Sequence, residues 1–334
     1  MKYKDRIYGE TEISEPVILE LLASPALQRL KGIDQFGYLP GYAIVPAGGF
    51  PGGPVSRFEH SVGVFLLLRK YGASSEEQIA GLLHDVSHAV FSHGVDYVLR
   101  DGEEAAKQSH QDDVFGAFVK NSDLPEIILK YSLDVDYILD DKNFPLKEKN
   151  SPDLCADRID YFLRDGVDIG VMDNKTAENF LEHLRAENNV WFFDNFETAK
   201  KYVDLFSKIN REYYASFSPA RMFASVGDCL KYALEKGYLK RGDLFTTDDE
   251  VIVKIKSHLD DEKLKLLFAR MNNEVGAENN LNDFDQRVLC KSRAVDPFFR
   301  DGEKLKRVSE VDAAWAAALP EELKPKEYFI KFEK

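Results

Sequence analysis

Cysteine is scarce in this chain: Cys155, Cys229 and Cys290 stand isolated, with no Cys-x-x-Cys pair. A disulfide framework and a structural zinc ribbon both need clustered thiols, so both are excluded, and the usage fits a reducing, cytoplasmic setting. Long apolar runs are missing too. Nothing approaches membrane-spanning length, and the opening Met1-Lys2-Tyr3-Lys4-Asp5-Arg6 lacks the apolar core of a signal peptide. Positive charge is the minority: 44 Lys and Arg face 58 Asp and Glu, a net charge of −14. That balance argues against a surface that coats nucleic acid or docks on an anionic membrane, and any phosphate must be held by a few arginines in a site. There is no internal repeat and no low-complexity tract. The glycine-rich stretch is not a P-loop, because no Gly-Lys-Ser/Thr follows it.

What is present is enough for a substantial core. Apolar residues make up 44% of 334 positions, room for one large or two smaller domains. Three of the seven histidines, His84, His88 and His93, fall within ten residues, and Asp85 directly follows the first. The lead-in Ser75-Glu76-Glu77-Gln78-Ile79-Ala80-Gly81-Leu82-Leu83 predicts a helix capped by Ser74 or Ser75, with acidic residues in its first turn. Continued at that pitch, His84 and His88 share a face. A buried His-Asp pair costs desolvation unless it is satisfied, either by a hydrogen bond within the core or by a divalent cation. Arg57-Phe58-Glu59-His60 opens another apolar helix, with His60 in its first turn. Far downstream, Asp157, Tyr161 and Asp165 recur at i, i+4 and i+8 on one predicted helical stripe, with Phe162 and Leu163 facing inward. Two imidazoles and two carboxylates from three helices, His60, His84, Asp85 and Asp157, can bind one divalent ion: Mn, Fe, Zn, Ni or Mg.

The blocks Arg-Phe-Glu-His, His-Asp-x-x-His-x-x-x-x-Ser-His and Asp-Arg-x-Asp-Tyr-Phe-x-Arg-Asp, in this order, resemble the HD-domain phosphohydrolase superfamily. Within it they are similar to the branch of deoxynucleoside triphosphate triphosphohydrolases, and the likeness runs from Pro25-Ala26-Leu27-Gln28-Arg29-Leu30 to about residue 240. The resemblance implies a mainly α fold, with a helical HD core over residues 1–240 and a small α+β appendage over 241–334. It implies that His60, His84, Asp85 and Asp157 hold the ion and that His93, its partner Asp96 and His110 move protons. It further implies that Arg57, His88 and Arg158 contact phosphate, and that Gln35, Tyr161 and Asp165 read the sugar. The expected reaction converts a deoxynucleoside triphosphate to deoxynucleoside and tripolyphosphate in a homo-oligomer. A nucleoside monophosphate phosphohydrolase is the rival enzyme reading, and a nucleotide-sensing module with a vestigial metal site is the non-enzyme one.

The remaining segments carry less. Gly37 to Pro54, with six glycines and four prolines, reads as a hairpin or loop over the site, either a solvated insertion or a lid. Residues 114–150 predict helices and an acidic, lysine-containing loop with no chemistry. Residues 174–240 predict helix throughout, with Phe196, Tyr202, Leu205, Phe206 and Ile209 as a core stripe. Arg211-Glu212-Tyr213-Tyr214 and Arg221 resemble the family helix that closes the nucleotide pocket. Ala224-Ser225 departs from the pattern, which has a basic pair there. Beyond 240, Asp248–Asn272 predicts a helical hairpin, and 287–295 and 328–332 alternate like strands. No SAM domain is present, and basic sequence is too sparse to place an allosteric nucleotide site.

Overall fold

Two of the caps written into the chain start the helices that matter most. In the computed structural model, which describes residues 1–42 and 55–333, Ser56 caps the helix Arg57–Lys70. Its side chain accepts from the Glu59 backbone N–H while Glu59 reaches back to the Ser56 N–H, a reciprocal capping box. Ser74 caps Ser75–Leu83, with Glu76 and Glu77 in the first turn as expected. These two helices pack side by side, and Ala156–Asp168 lies against the first of them. That contact is close because position 63 is glycine: a Cβ there would collide with the Arg164 guanidinium and the Asp160 carboxylate. A mid-helix glycine costs about 1 kcal/mol against alanine, and here it admits an ion pair into the helix–helix interface.

Among the described residues there are 17 α-helices, with a short antiparallel pair, Lys2–Asp5 and Gly9–Glu12, at the start and further short strands from residue 184 onward. Three buried clusters form the interior. One gathers Phe162, Phe180, Tyr202 and Phe206 behind Ala156–Asp168, with the rings of Phe162 and Tyr202 4.3 Å apart. The second surrounds the long helix Phe217–Glu235 and includes Phe91, Val95, Val288 and Ile330. The third joins the N-terminal helices Pro16–Ala23 and Pro25–Arg29 to Phe65 and Leu83. Each fully buried side chain of this size contributes roughly 1.5–3 kcal/mol. Among the described residues no helix is long and apolar enough to cross a membrane.

Three expectations need correction or limits. Residues 174–240 are not wholly helical: Leu184–Glu187 and Val190–Phe193 form an antiparallel hairpin, with Leu184 opposite Phe193. Its turn is Asn188-Asn189, both at positive φ (52° and 63°), a conformation asparagine tolerates and two-residue hairpins require. Strand character after 286 stops at Cys290 rather than 295; Gln286–Cys290 pairs with Lys326–Phe332. Of the glycine- and proline-rich stretch, Leu39–Gly41 is a 3-10 turn, and the lid or insertion expected over 43–54 lies outside the described residues.

The region past 240 is woven into the rest. Phe298–Asp301 pairs in parallel with Val190–Phe193 and antiparallel with Lys304–Arg307, completing a four-stranded sheet begun before residue 200. Val295, Phe299 and Trp315 share a core with Phe162 and Tyr202.

Candidate metal centre

The centre forms where the first turn of Arg57–Lys70, the end of Ser75–Leu83 and the first turn of Ala156–Asp168 converge. One ligand atom each from His60, His84 and Asp157 lie within 4.8 Å of one another. His60 Nε2 is 2.9 Å from Asp157 Oδ1 and 3.2 Å from His84 Nε2. Both rings are aimed by their other nitrogen. His84 Nδ1 is 2.7 Å from the Gly81 carbonyl and His60 Nδ1 is 2.7 Å from Asp160 Oδ2. Those acceptors call for a proton on Nδ1, so each Nε2, which points toward Asp157, is the nitrogen that can release its proton and offer a lone pair to a cation. Asp85 joins them: its Oδ1 is 3.4 Å from His84 Nε2 and its Oδ2 3.8 Å from His60 Nε2. Two oriented imidazoles beside two carboxylates are a donor set that fits a divalent ion.

The helical pitch expected through His84 and His88 is not there. The helix ends at Leu83, and the next residues form turns, with the Val86 N–H donating to Leu83 O and the His88 N–H to Asp85 O. The carbonyls of Val86 and His88 are taken instead by the Arg29 guanidinium, at 2.7 and 2.8 Å. Phe91 and Ser92 then adopt positive φ (56° and 50°), a costly conformation for either residue. The Phe91 N–H donates to Asp248, and Ser92 Oγ donates to Asp34 O while accepting from Arg57 Nε. This bend turns His93 back beside His88, ring centroids 5.1 Å apart.

Charge is concentrated and mostly paired. Burial opposes charging His60, yet its hydrogen bonds to Asp157 and Asp160, with the Asp160 and Asp85 charges, raise it to about 10. Burial disfavours the carboxylate of Asp157, but hydrogen bonds from His60 and His84 hold it well below the usual range. The same negative field that retains a proton on imidazole attracts a metal cation. Asp85 is likewise buried and depressed, chiefly by Arg57, whose Nη1 donates to its Oδ2 at 2.7 Å. Burial and the Arg57 charge push His88 down to about 3, and burial with Arg57, Arg293 and Lys291 holds His93 well below its ordinary value. Both imidazoles are therefore neutral at pH 7.

A cavity of about 1380 Å³ opens from this centre. It brings together Gln35, Arg57, His84, Asp85, His88 and His93 with Asp157, Arg158, Tyr161 and Asp165, so most residues singled out in the sequence share one wall. Gln35 is half-buried, with its Oε1 free of any hydrogen bond. Asp165 is buried, pushed up to about 7 by desolvation, and accepts from the Tyr214 hydroxyl at 2.8 Å while its Oδ1 has no partner. Arg158 is held by the carbonyls of Lys149 and Asp153. Its Nη1 is also 3.2 Å from Cys155 Sγ. Glu148, Cys155 and Asp157 also come within 4.8 Å, and that guanidinium on the cysteine side disfavours a second cation there.

Two expected placements differ. His93 Nδ1 stands 3.5 Å from Asp96 Oδ2, beyond a formed hydrogen bond, and is buried without a partner. Asp96 instead accepts from the His110 backbone N–H at 2.9 Å. The His110 ring lies toward Phe245, centroids 6.4 Å apart, and is not among the residues lining the cavity.

The sequence reading passed over five side chains. Asp160 orients His60. The loop assigned no chemistry supplies Lys147 and Glu148 to the cavity rim, and Lys291 and Arg293 form another part of the wall. Asp160 was visible inside the quoted Asp-Arg-x-Asp motif; nothing local distinguishes the others.

Comparison with known proteins agrees with this geometry. The HD domain family pattern matches residues 57–165. The chain is 36% identical over 309 residues to Bacillus subtilis protein YdhJ, covering 92% of this chain and 91% of that protein. It is 34% identical over 253 residues to the metal-dependent phosphohydrolase cns2 of Cordyceps militaris, covering 74% and 70%. It is 28% identical over 232 residues to the mouse deoxynucleoside triphosphate triphosphohydrolase SAMHD1, a match spanning 55% of this chain and 34% of that enzyme. With a buried donor set that fits a divalent ion against a large cavity lined by charges of both signs, this chain belongs to the HD-domain metal-dependent phosphohydrolases.

Proposed function

We propose that this phosphohydrolase acts on nucleotides and converts a deoxynucleoside triphosphate to deoxynucleoside and tripolyphosphate. One observation carries the reading: the ligand residues His84, Asp85 and Asp157, with fully buried His60 directly behind them, the phosphate-side cations Arg57 and Arg158, and the sugar-side Tyr161 and Asp165 meet at a single cavity. At about 1380 Å³ it exceeds the usual range of roughly 300–1,000 Å³ for small-molecule sites, with room for base, sugar and three phosphates.

His60, His84, Asp85 and Asp157 would hold the ion, which when bound supplies positive charge that polarises a phosphoryl oxygen and acidifies water. Arg57, fixed by Asp85 and Ser92, presents its remaining N–H groups to the α-phosphate and offsets charge in the transition state. His88, neutral, donates a ring N–H to a phosphate oxygen. His93, also neutral, takes the proton of the attacking water as the oxygen–phosphorus bond forms. The bond from phosphorus to the sugar 5′ oxygen breaks, and the departing oxygen takes up a proton. Tyr161 and Asp165 read the sugar, and Gln35, which lines the same cavity, offers its amide to it.

A second reading has its own support. Ala224 and Ser225, standing where the family pattern has a basic pair, are buried in the helix Phe217–Glu235, and Arg221 is tied to the Val275 carbonyl. A nucleoside monophosphate needs no such contacts. The separating experiment incubates the enzyme with a panel of deoxynucleoside mono- and triphosphates and Mn, Mg, Fe, Ni or Zn, identifying products by mass. Deoxynucleoside with tripolyphosphate supports the proposal; inert triphosphates, with orthophosphate released from monophosphates, overturn it. A homo-oligomer, expected from the family resemblance, is tested by light scattering.

A further inference from the structure

Lys291 and Arg293 sit where the chain leaves the strand Gln286–Cys290, and both line the cavity. Their segment is pinned from behind. Fully buried Asn210 donates to Ser292 Oγ at 2.9 Å and accepts the Arg293 backbone N–H at 2.8 Å, while Ser292 Oγ donates to Glu322 O. Residues two apart in extended chain present their side chains on one side, so this anchoring aims the two cations together.

Among the described residues neither has a carboxylate partner. Arg293 donates to the neutral Gln108 amide oxygen at 2.8 Å and lies 5.7 Å from the Tyr214 ring centroid. Lys291 forms no ion pair or hydrogen bond among the described residues. The acidic groups Asp112 and Glu148 act on it only through space, with no ion pair formed among the described residues. Of the other cavity cations, Arg57 is engaged by Asp85, Arg158 by backbone carbonyls, Lys147 by Asp141, Lys107 by Glu104 and Lys149 by the Asn189 carbonyl, while Lys142 is exposed to solvent. In a protein with net charge −14, two half-buried cations without counter-charge are expensive unless an anion completes them. Burial and Arg293 pull Lys291 down to about 8, the mark of that missing counter-charge. Both cations line the same cavity as His93 and lie near enough to act on its charge.

We propose that Lys291 and Arg293 bind the distal phosphates of the substrate, forming an oligophosphate wall supplied by a segment outside the HD match. The proposal rests on the triphosphate reading above. It replaces the basic contacts that Ala224-Ser225 does not provide, with cations drawn from a strand end more than sixty residues downstream.

The test is calorimetric titration of the metal-loaded full chain with inorganic tripolyphosphate and, separately, orthophosphate, the divalent ion kept in excess over the probe. Charge-assisted hydrogen bonds of this kind set the scale. Lys291→Gln and Arg293→Gln should each weaken tripolyphosphate binding about tenfold and the double variant about a hundredfold, with orthophosphate binding changed less than about threefold. Lys291→Arg should retain tripolyphosphate binding, and thermal melts establish that each variant is folded. Unchanged tripolyphosphate affinity in the folded double variant overturns the proposal, as does equal loss for the two anions, which would put both cations on the reacting phosphate. If the wild type forms no deoxynucleoside from any triphosphate while the double variant still loses tripolyphosphate, the reaction assignment falls and the oligophosphate wall stands.

Discussion

Asp160→Asn should damage both the metal centre and the fold, although Asp160 is assigned no contact with ion or substrate. Its two oxygens accept four hydrogen bonds. Oδ2 takes His60 Nδ1 at 2.7 Å and Arg164 Nε at 3.1 Å; Oδ1 takes the Tyr8 hydroxyl at 2.8 Å and Arg164 Nη2 at 3.0 Å. Asparagine turns one acceptor into a donor facing two donors and removes the charge opposite Arg164, which is fully buried with only Asp5 as its other carboxylate. Removing one member of a buried ion pair costs about 3–5 kcal/mol, and Asp5 retains part of that, so a loss of about 2–4 kcal/mol is expected. His60 loses the acceptor that fixes its tautomer, and loss of such an outer partner lowers metal affinity about 10–100-fold. Urea unfolding of the metal-free variant reads the first effect, and metal competition with a chelator, followed by mass spectrometry, reads the second. A variant with wild-type metal affinity and stability within about 1 kcal/mol would falsify the reasoning that this carboxylate joins the helix interface to the ligand sphere.

The other predictions address separate parts of the site. His84→Ala or Asp157→Ala should lower metal affinity by orders of magnitude with the helical circular dichroism kept, because each leaves the remaining donors short of one ligand; wild-type metal content in both rules out the assigned ligand set. His93→Ala should keep the metal yet lose at least ~10²-fold in turnover, the usual scale for a general acid or base, so near-normal turnover would make this histidine structural. Asp165, raised by burial to about 7, binds its proton more tightly folded than unfolded. It therefore costs stability that is absent below about pH 4, grows as pH rises, and is fully present above about pH 7, on the order of 2–4 kcal/mol. Asp165→Asn should thus gain stability over wild type in urea at pH 8 and little at pH 4; a difference independent of pH refutes the assignment.

Local chemistry was legible in the chain and long-range geometry was not. The Ser56–Glu59 box, the Ser74 cap and the i, i+4, i+8 recurrence of Asp157, Tyr161 and Asp165 specify helices by themselves, because caps and helical pitch depend on neighbours within a few residues. The motif blocks therefore named nearly every side chain on the reacting wall. The same local reasoning carried the helical pitch through His88, where the structure breaks it. The competing partner is Arg29, remote in sequence, which takes the carbonyls that a continued helix would have used. The hairpin at Leu184–Phe193 was missed because the strand that flanks its apolar run on the other side, Phe298–Asp301, comes from about a hundred residues downstream. Gly63 shows its purpose only once Arg164 and Asp160 cross it. Lys291 and Arg293 fall in a stretch whose sequence signal was only strand-like alternation, since their burial and the lack of an ion-pair partner among the described residues are properties of the assembled cavity. The sequence by itself determined the donor types, their helices and the class of chemistry. Tertiary structure alone decided which nitrogen of each imidazole faces Asp157, that His110 turns toward Phe245, and which cations remain free for an anion, because each depends on groups brought together from distant parts of the chain.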